Sequence, residues 1–153
     1  MILPDVNVLL YAFRRDSPHH AEYHEWLQSV VNAPAAYGIA PQVLASVIRI
    51  STHARIFKQP SEVEEAIEFC RVLQEAENCT VVQPGERHWG IFVDLCARCE
   101  ATGNLVQDAW FAALAIESGC EWVTTDRDYS RFPGLRWRTP FSVNSSTSTL
   151  PTD

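Results

Sequence analysis

Short apolar runs alternate with longer stretches of helical period along almost the whole chain, and that alternation restricts the fold more than any other feature. The runs fall at 1–4, 35–40, 79–82, 121–125 and 135–138. Between them apolar residues recur at helical spacing: Ala21, Trp26, Leu27 and Val30 in one stretch, Val43, Val47 and Ile50 in another, Trp89, Phe92, Val93 and Cys96 in a third. Strands separated by helices have room to cross over and pair in parallel. The pattern therefore predicts an α/β domain, with a mainly parallel central sheet flanked by helices in three layers.

Punctuation residues divide the helical stretches. Residues 6–13 read as a helix of a turn or two. Ser17-Pro18 predicts a helix start, with serine as cap and proline in the first turn. Ser61, after Pro60 and three residues before Glu64, has the spacing of a capping box. Residues 84–99 read as helical throughout. Asn104 with Gln107 predicts a second capping box, opening a helix over 105–118 that Gly119 closes. One domain over 1–141 accounts for these elements. Residues 142–153, with seven Ser or Thr among twelve, read as a mobile tail.

Charge and cysteine usage narrow the function. A net charge of −7 argues against tight, general nucleic-acid binding, which needs a basic surface. Two arrangements would reverse the sign locally. One is a carboxylate cluster holding divalent cations. The other is a groove lined by arginines such as Arg14, Arg15, Arg49, Arg55, Arg127 and Arg131. The five cysteines are odd in number and irregularly placed, which argues for a reducing compartment, hence a cytoplasmic protein. The apolar opening carries Asp5 and Asn7, has no basic start and is not read as a signal peptide, and no run approaches a membrane span.

Three aspartates stand where an open α/β sheet binds ligands, at the carboxyl ends of strands. Asp5 ends the first run, Asp126 follows the fourth, and Asp108 lies in the first turns of the helix after Asn104. Gathered carboxylates repel and raise one another's pKa unless a cation lies between them. An all-oxygen donor set suits Mg²⁺ or Mn²⁺, and ions so held are a common device for cleaving phosphodiesters. Each aspartate alone has an ordinary reading as a turn former or helix cap.

Several segments resemble those of one family. Asp5-Val6-Asn7-Val8-Leu9-Leu10-Tyr11-Ala12 resembles the opening motif of PIN-domain proteins. Gly103-Asn104-Leu105-Val106-Gln107-Asp108-Ala109 and Thr124-Thr125-Asp126-Arg127-Asp128-Tyr129 resemble its later acidic motifs. The segments 49–57 and 132–137 are similar to stretches frequent in VapC-type toxins. The resemblance runs from residue 1 to about 141. It implies a Rossmann-like PIN fold and a Mg²⁺- or Mn²⁺-dependent endoribonuclease. It also implies a homodimer and a toxin silenced by a cognate antitoxin, with transfer or ribosomal RNA a frequent substrate. Asp5, Asp108 and Asp126 would be the metal-binding carboxylates and Asp128 an auxiliary acid. Asn7, Asn104 and Thr124 would orient carboxylates or water through hydrogen bonds. Arg49 would pair with a site carboxylate, touch phosphate or bridge two helices. One departure stands out: Ser46 occupies the place where most PIN nucleases carry a glutamate, which puts the second metal site in question. An antitoxin groove is expected near Leu9, Leu10, Tyr11, Phe13, Tyr23 and Trp26, residues that would equally serve a dimer.

Two other functions remain at this point. A phosphohydrolase of the haloacid-dehalogenase type would use Asp5 as nucleophile, but would carry aspartate where Asn7 stands and a site lysine, and Lys58 is the one lysine. A non-catalytic binding module on a PIN scaffold would follow from Ser46 and the acidic charge. Cys96 and Cys99, with His88, make at most one close pair of zinc ligands, fewer than a structural site uses, and packing is the simpler reading. His20 and His24 share a helix face, and the four glutamates of 62–68 form a solvated one. His53 and His88 are read as structural, and the five tryptophans as core or interface residues.

Overall fold

Residue 5 meets residue 123 because the first strand, β1 (Ile2–Pro4), pairs in parallel with a strand from the far end of the chain, Glu121–Val123. The computed structural model describes residues 1–142 of the 153. In order, the elements are β1, α1 (Val6–Phe13), α2 (His20–Asn32), β2 (Tyr37–Ile39), α3 (Pro41–Ser51), α4 (Val63–Glu75), β3 (Cys79–Val81), α5 (His88–Arg98), α6 (Asn104–Ser118), β4 (Glu121–Val123), a 3₁₀ turn (Arg127–Arg131) and β5 (Trp137–Arg138). The tail expected over 142–153 lies, apart from Ser142, outside the described residues.

All three strand pairings are parallel, as the alternating pattern requires. The sheet is not one continuous ladder, however. The strands are hydrogen-bonded as β1-β4-β5 and, separately, as β2-β3. The break has a cause in β1. The Asp5 N–H donates to the Val123 carbonyl, on the β4 side. The alternate residue, Pro4, would face β2 and has no N–H to give. Backbone contact replaces the ladder there, since a Cβ on Gly38 would stand 3.3 Å from the Ile2 carbonyl oxygen.

The core lies between these strands and the helices. Leu3, Leu9, Ile39, Val43, Val47, Leu114 and Trp122 are fully enclosed. Trp122 packs on Phe111 and Tyr129, with ring centroids 5.5 and 5.4 Å away. Leu9 and Leu10 belong to this core, so they cannot line the expected partner groove; Tyr11, Tyr23 and Trp26 are only half-buried. Among the described residues no helix is long and apolar enough to cross a membrane. The five cysteines are free thiols.

Four helix starts differ from the sequence reading, and in α4 and α5 a tertiary contact takes the capping group or supplies another. The α2 helix begins at His20, after Ser17 and Pro18 have turned the chain, and the His20 ring nitrogen contacts the Tyr11 carbonyl at 2.9 Å. Ser61 does not cap α4: its hydroxyl accepts from Arg14, 2.9 Å away. That guanidinium is buried over the Phe57 ring and also bonds Asp16 and the Gln59 carbonyl, so Arg14 clamps a loop. The α5 helix starts at His88 because Glu117 of α6 accepts the N–H groups of Gly85 and Arg87, at 2.6 and 2.8 Å. Its inward face is rotated from the one expected: Trp89 and Val93 are 64% and 45% exposed, whereas His88 and Leu95 are buried. Gly103 at φ 58°, not an Asn104 capping box, leads into α6.

The β1–β2 contact gives a test of the packing. Gly38→Ala sets a methyl 2.9 Å from Val82 Cγ2 as well as against the Ile2 carbonyl. The expected destabilisation is about 1–3 kcal/mol in urea titration. An unchanged midpoint would show that the two strand groups part freely.

Candidate active site

Asp5 lies at the junction of β1 and α1, where its backbone is extended and its carboxylate caps the helix. The Val6 N–H donates to Oδ1 at 2.6 Å and the Thr124 hydroxyl donates to Oδ2 at 2.6 Å. Thr124 is fully buried one residue past β4, and its Oγ1 also accepts the Asp126 N–H at 3.0 Å. One hydroxyl thus links two of the three aspartates. Asp126 caps the 3₁₀ turn by accepting the Asp128 N–H at 2.9 Å. Asp108, half-buried on α6, accepts from the Tyr129 hydroxyl at 3.3 Å.

Electrostatics tie the three together. Burial pushes the Asp5 carboxyl up from 3.8 to about 6; the bonds from Thr124 and Val6 oppose this, and the charges of Asp108 and Asp126 add to it. Burial also raises Asp108, assisted by Asp126 and Asp128 and opposed by Tyr129. The Tyr129 phenol is pushed far upward by burial and by the charges of Asp5, Asp108 and Asp126, so it is a neutral donor at any physiological pH.

Other residues singled out by sequence are less engaged. Asp128 is exposed, 4.0 Å from Arg131, and acts on Asp108 through its charge. Asn7 is half-buried in the first turn of α1, but the bonds to Asp5 come from Val6 and Thr124 instead. Asn104 is exposed one turn before Asp108, on the same helix face. Ser46 is half-buried and Arg49 exposed on α3; among the described residues neither side chain bonds a carboxylate. His88 contacts the Trp110 carbonyl at 3.0 Å, and the Cys99 thiol donates to the Arg131 carbonyl.

Tyr129 is the residue that sequence reasoning passed over. It stood inside the third acidic segment, but an aromatic after a charged turn reads as core, and nothing in the pattern shows where its hydroxyl goes.

The donor set is oxygen only and keeps free lone pairs on all three carboxylates, which fits a hard divalent ion. Among the described residues no three Asp, Glu, His or Cys side chains stand close enough to enclose one as they lie. Without an ion between them, like charges keep the carboxylates apart. A cavity of about 490 Å³ sits away from the aspartates, at the other end of the strands, among Met1, Tyr37, Glu121 and Arg136.

A family model described as PIN domain matches residues 2–135. The chain belongs to the PIN-domain family. Its curated relatives include a VapC ribonuclease of Mycobacterium bovis, 39% identical over 140 residues, which are 92% of this chain and 95% of that protein. Ribonuclease VapC25 of Mycobacterium tuberculosis is 36% identical over 136 residues, 89% of this chain and 96% of the relative. In structure the PIN fold resembles VapBC2 of Rickettsia felis bound to a promoter DNA fragment, with a TM-score of 0.65 at 18% identity over 91% of this chain and 98% of that one. It also resembles VapC20 of Mycobacterium tuberculosis, described as a Sarcin-Ricin loop cleaving toxin, with a TM-score of 0.60 at 15% identity over 89% and 99% of the two chains. The α/β fold read from the sequence is therefore that of PIN-domain proteins.

Asp5 predicts a pH signature. Its folded value lies above its unfolded one, so between about pH 4 and 6 the native state binds more protons than the unfolded chain. Stability in EDTA should fall as pH rises through that window, by on the order of 3 kcal/mol from this residue. Asp5→Asn should remove that component of the slope in urea midpoints measured from pH 4 to 7. Parallel curves for the two proteins would contradict it.

Proposed function

We propose that this PIN-domain protein is a Mg²⁺- or Mn²⁺-dependent endoribonuclease and the toxin of a toxin–antitoxin pair. The observation that carries the reading is the character of the site's donors. Asp5, Asp108 and Asp126 accept hydrogen bonds from two backbone N–H groups and two hydroxyls, all neutral. Among the described residues no lysine or arginine forms an ion pair with any of the three. Such a cluster keeps its negative charge for a cation. Its curated relatives are named ribonucleases.

A bound ion would supply the Lewis acidity that polarises the phosphodiester and lowers the pKa of an attacking water. The chain does the positioning. Asp5, Asp108 and Asp126 would hold the ion, and Thr124 fixes Asp5 relative to Asp126. Asp128 would add charge beside Asp108, and Asn104, one turn before Asp108 on α6, is proposed to orient that carboxylate or the water. Asn7, in the first turn of α1, is proposed to orient a carboxylate or the water, and Arg49, on α3, to touch phosphate. A bound divalent ion would offset most of the negative charge of Asp5, Asp108 and Asp126 and present a cation to the phosphate, which eases the difficulty posed by the net charge of −7.

Partners follow the same reading. Solved relatives include VapBC toxin–antitoxin assemblies. The antitoxin is proposed to dock over α1 and α2, where Tyr11 and Tyr23 pack edge to face and Trp26 with Phe141 borders a shallow hollow of about 370 Å³. A second copy is proposed to cover Trp89 and Val93 on α5. Sedimentation separates the two: Trp89→Ala should convert a dimer of the chain alone to monomer, and Trp26→Ala should weaken antitoxin capture and leave the dimer intact. The reverse pattern would exchange the surfaces.

The decisive assay is cleavage of labelled RNA. Cutting should require Mn²⁺ or Mg²⁺, stop in EDTA, and fall about 10²–10³-fold in Asp5→Asn and Asp126→Asn. Cleavage that persists in EDTA would refute the metal mechanism. Ser46, which brings no charge where the family places glutamate, favours a second reading: a PIN scaffold that binds partners and cuts weakly. Calorimetry showing no Mn²⁺ binding with antitoxin binding intact would select it.

A further inference from the structure

Thr124 ties Asp5 to Asp126, but Asp108 arrives from a separate helix and is outside that link. Among the described residues, the one hydrogen bond to its carboxylate is from the Tyr129 hydroxyl, at 3.3 Å. We propose that Tyr129 is a positioning residue that holds Asp108 toward Asp5 and Asp126 so that the three can share a divalent ion. The inference rests on the metal-dependent reading above and adds to it a residue for which the acidic pattern has no place.

Three features suit Tyr129 to this role. Its ring is buried, wedged between Trp122 at 5.4 Å and Phe132 at 5.8 Å, so the hydroxyl has one station and no path away from it. It sits in the 3₁₀ turn that Asp126 caps, and its N–H donates to the Asp126 carbonyl at 3.4 Å, so the two are fixed in one short unit. Its hydroxyl is a neutral donor. An arginine or lysine there would orient Asp108 equally well but would cancel the charge that the ion needs. One short segment after β4 therefore supplies a ligand, Asp126, and two hydroxyls, from Thr124 and Tyr129, which hold the ligands offered by α1 and α6.

Ordinary core packing accounts for the ring and leaves the hydroxyl unexplained, so the test removes only the hydroxyl. Tyr129→Phe should fold, with a melting temperature in EDTA within about 5 °C of wild type. Its Kd for Mn²⁺ alone, by calorimetry, should rise about 10-fold or more, and kcat on RNA should fall with KM nearly unchanged. In a double-mutant cycle, adding Tyr129→Phe to Asp108→Asn should cost nothing further, because the phenol acts through Asp108. If wild type binds Mn²⁺ and Tyr129→Phe binds it equally well, or if the two losses add, the inference is wrong and the metal reading survives. If wild type binds no Mn²⁺, both fall. Should Tyr129→Phe not fold, wild type labelled with 3-fluorotyrosine offers four fluorine signals, one per tyrosine. The Tyr129 signal should move on adding Mg²⁺ and lose that response in Asp108→Asn; a signal indifferent to Mg²⁺ overturns the proposal.

Discussion

The hydroxyl of Thr124 is the joint on which the rest of the site depends. It donates to a buried carboxylate from one end of the chain and accepts an N–H from a residue near the other end. That bond exists because β1 and β4 run side by side, so that Pro4 is level with Val123 and the two strands end together. A buried carboxylate without such donors would be costly to ionise. With two it is still raised to about 6, which leaves it poised between the needs of the fold and those of a cation.

Elements distant from the carboxylates hold this joint in place. The α6 helix carries Asp108 near its start, and near its end Glu117 caps the entry to α5. The site helix and its neighbour are therefore linked at the end away from Asp108. Arg14, at the exit of α1, secures the loop between α3 and α4 through Ser61, Gln59 and the face of Phe57. These polar clamps consume groups that sequence logic assigns elsewhere: a serine that looks like a cap and an arginine that looks like a phosphate contact.

An acidic chain that handles an acidic polymer is not a contradiction once charge is considered locally. The net charge of −7 is spread over exposed glutamates, many of them on α4, while the three site aspartates receive bonds from neutral donors only. Leaving those carboxylates uncompensated costs stability in the ion-free protein. In the proposed reading, the same choice would give the site its affinity for a cation.

Much of the protein was legible in its sequence. Strands, helices and their alternation follow from local hydrophobic period, because a strand or helix must bury one face whatever lies against it. The three aspartates were legible because their places depend on where strands and helices end, which is again local. The class of fold and the acidic edge needed no coordinates. Other features depended on what came near in space. The split between the β1 and β2 groups arises where Gly38 meets the Ile2 carbonyl and Pro4 has no N–H to offer. The outward turn of Trp89 follows from the docking of His88 on α6, and Ser61 lost its capping role to Arg14. Tyr129 holds Asp108 across the 21 residues that separate them. A hydrogen bond between side chains so far apart in sequence leaves no period or spacing to read; only the packed chain decides which hydroxyl meets which carboxylate.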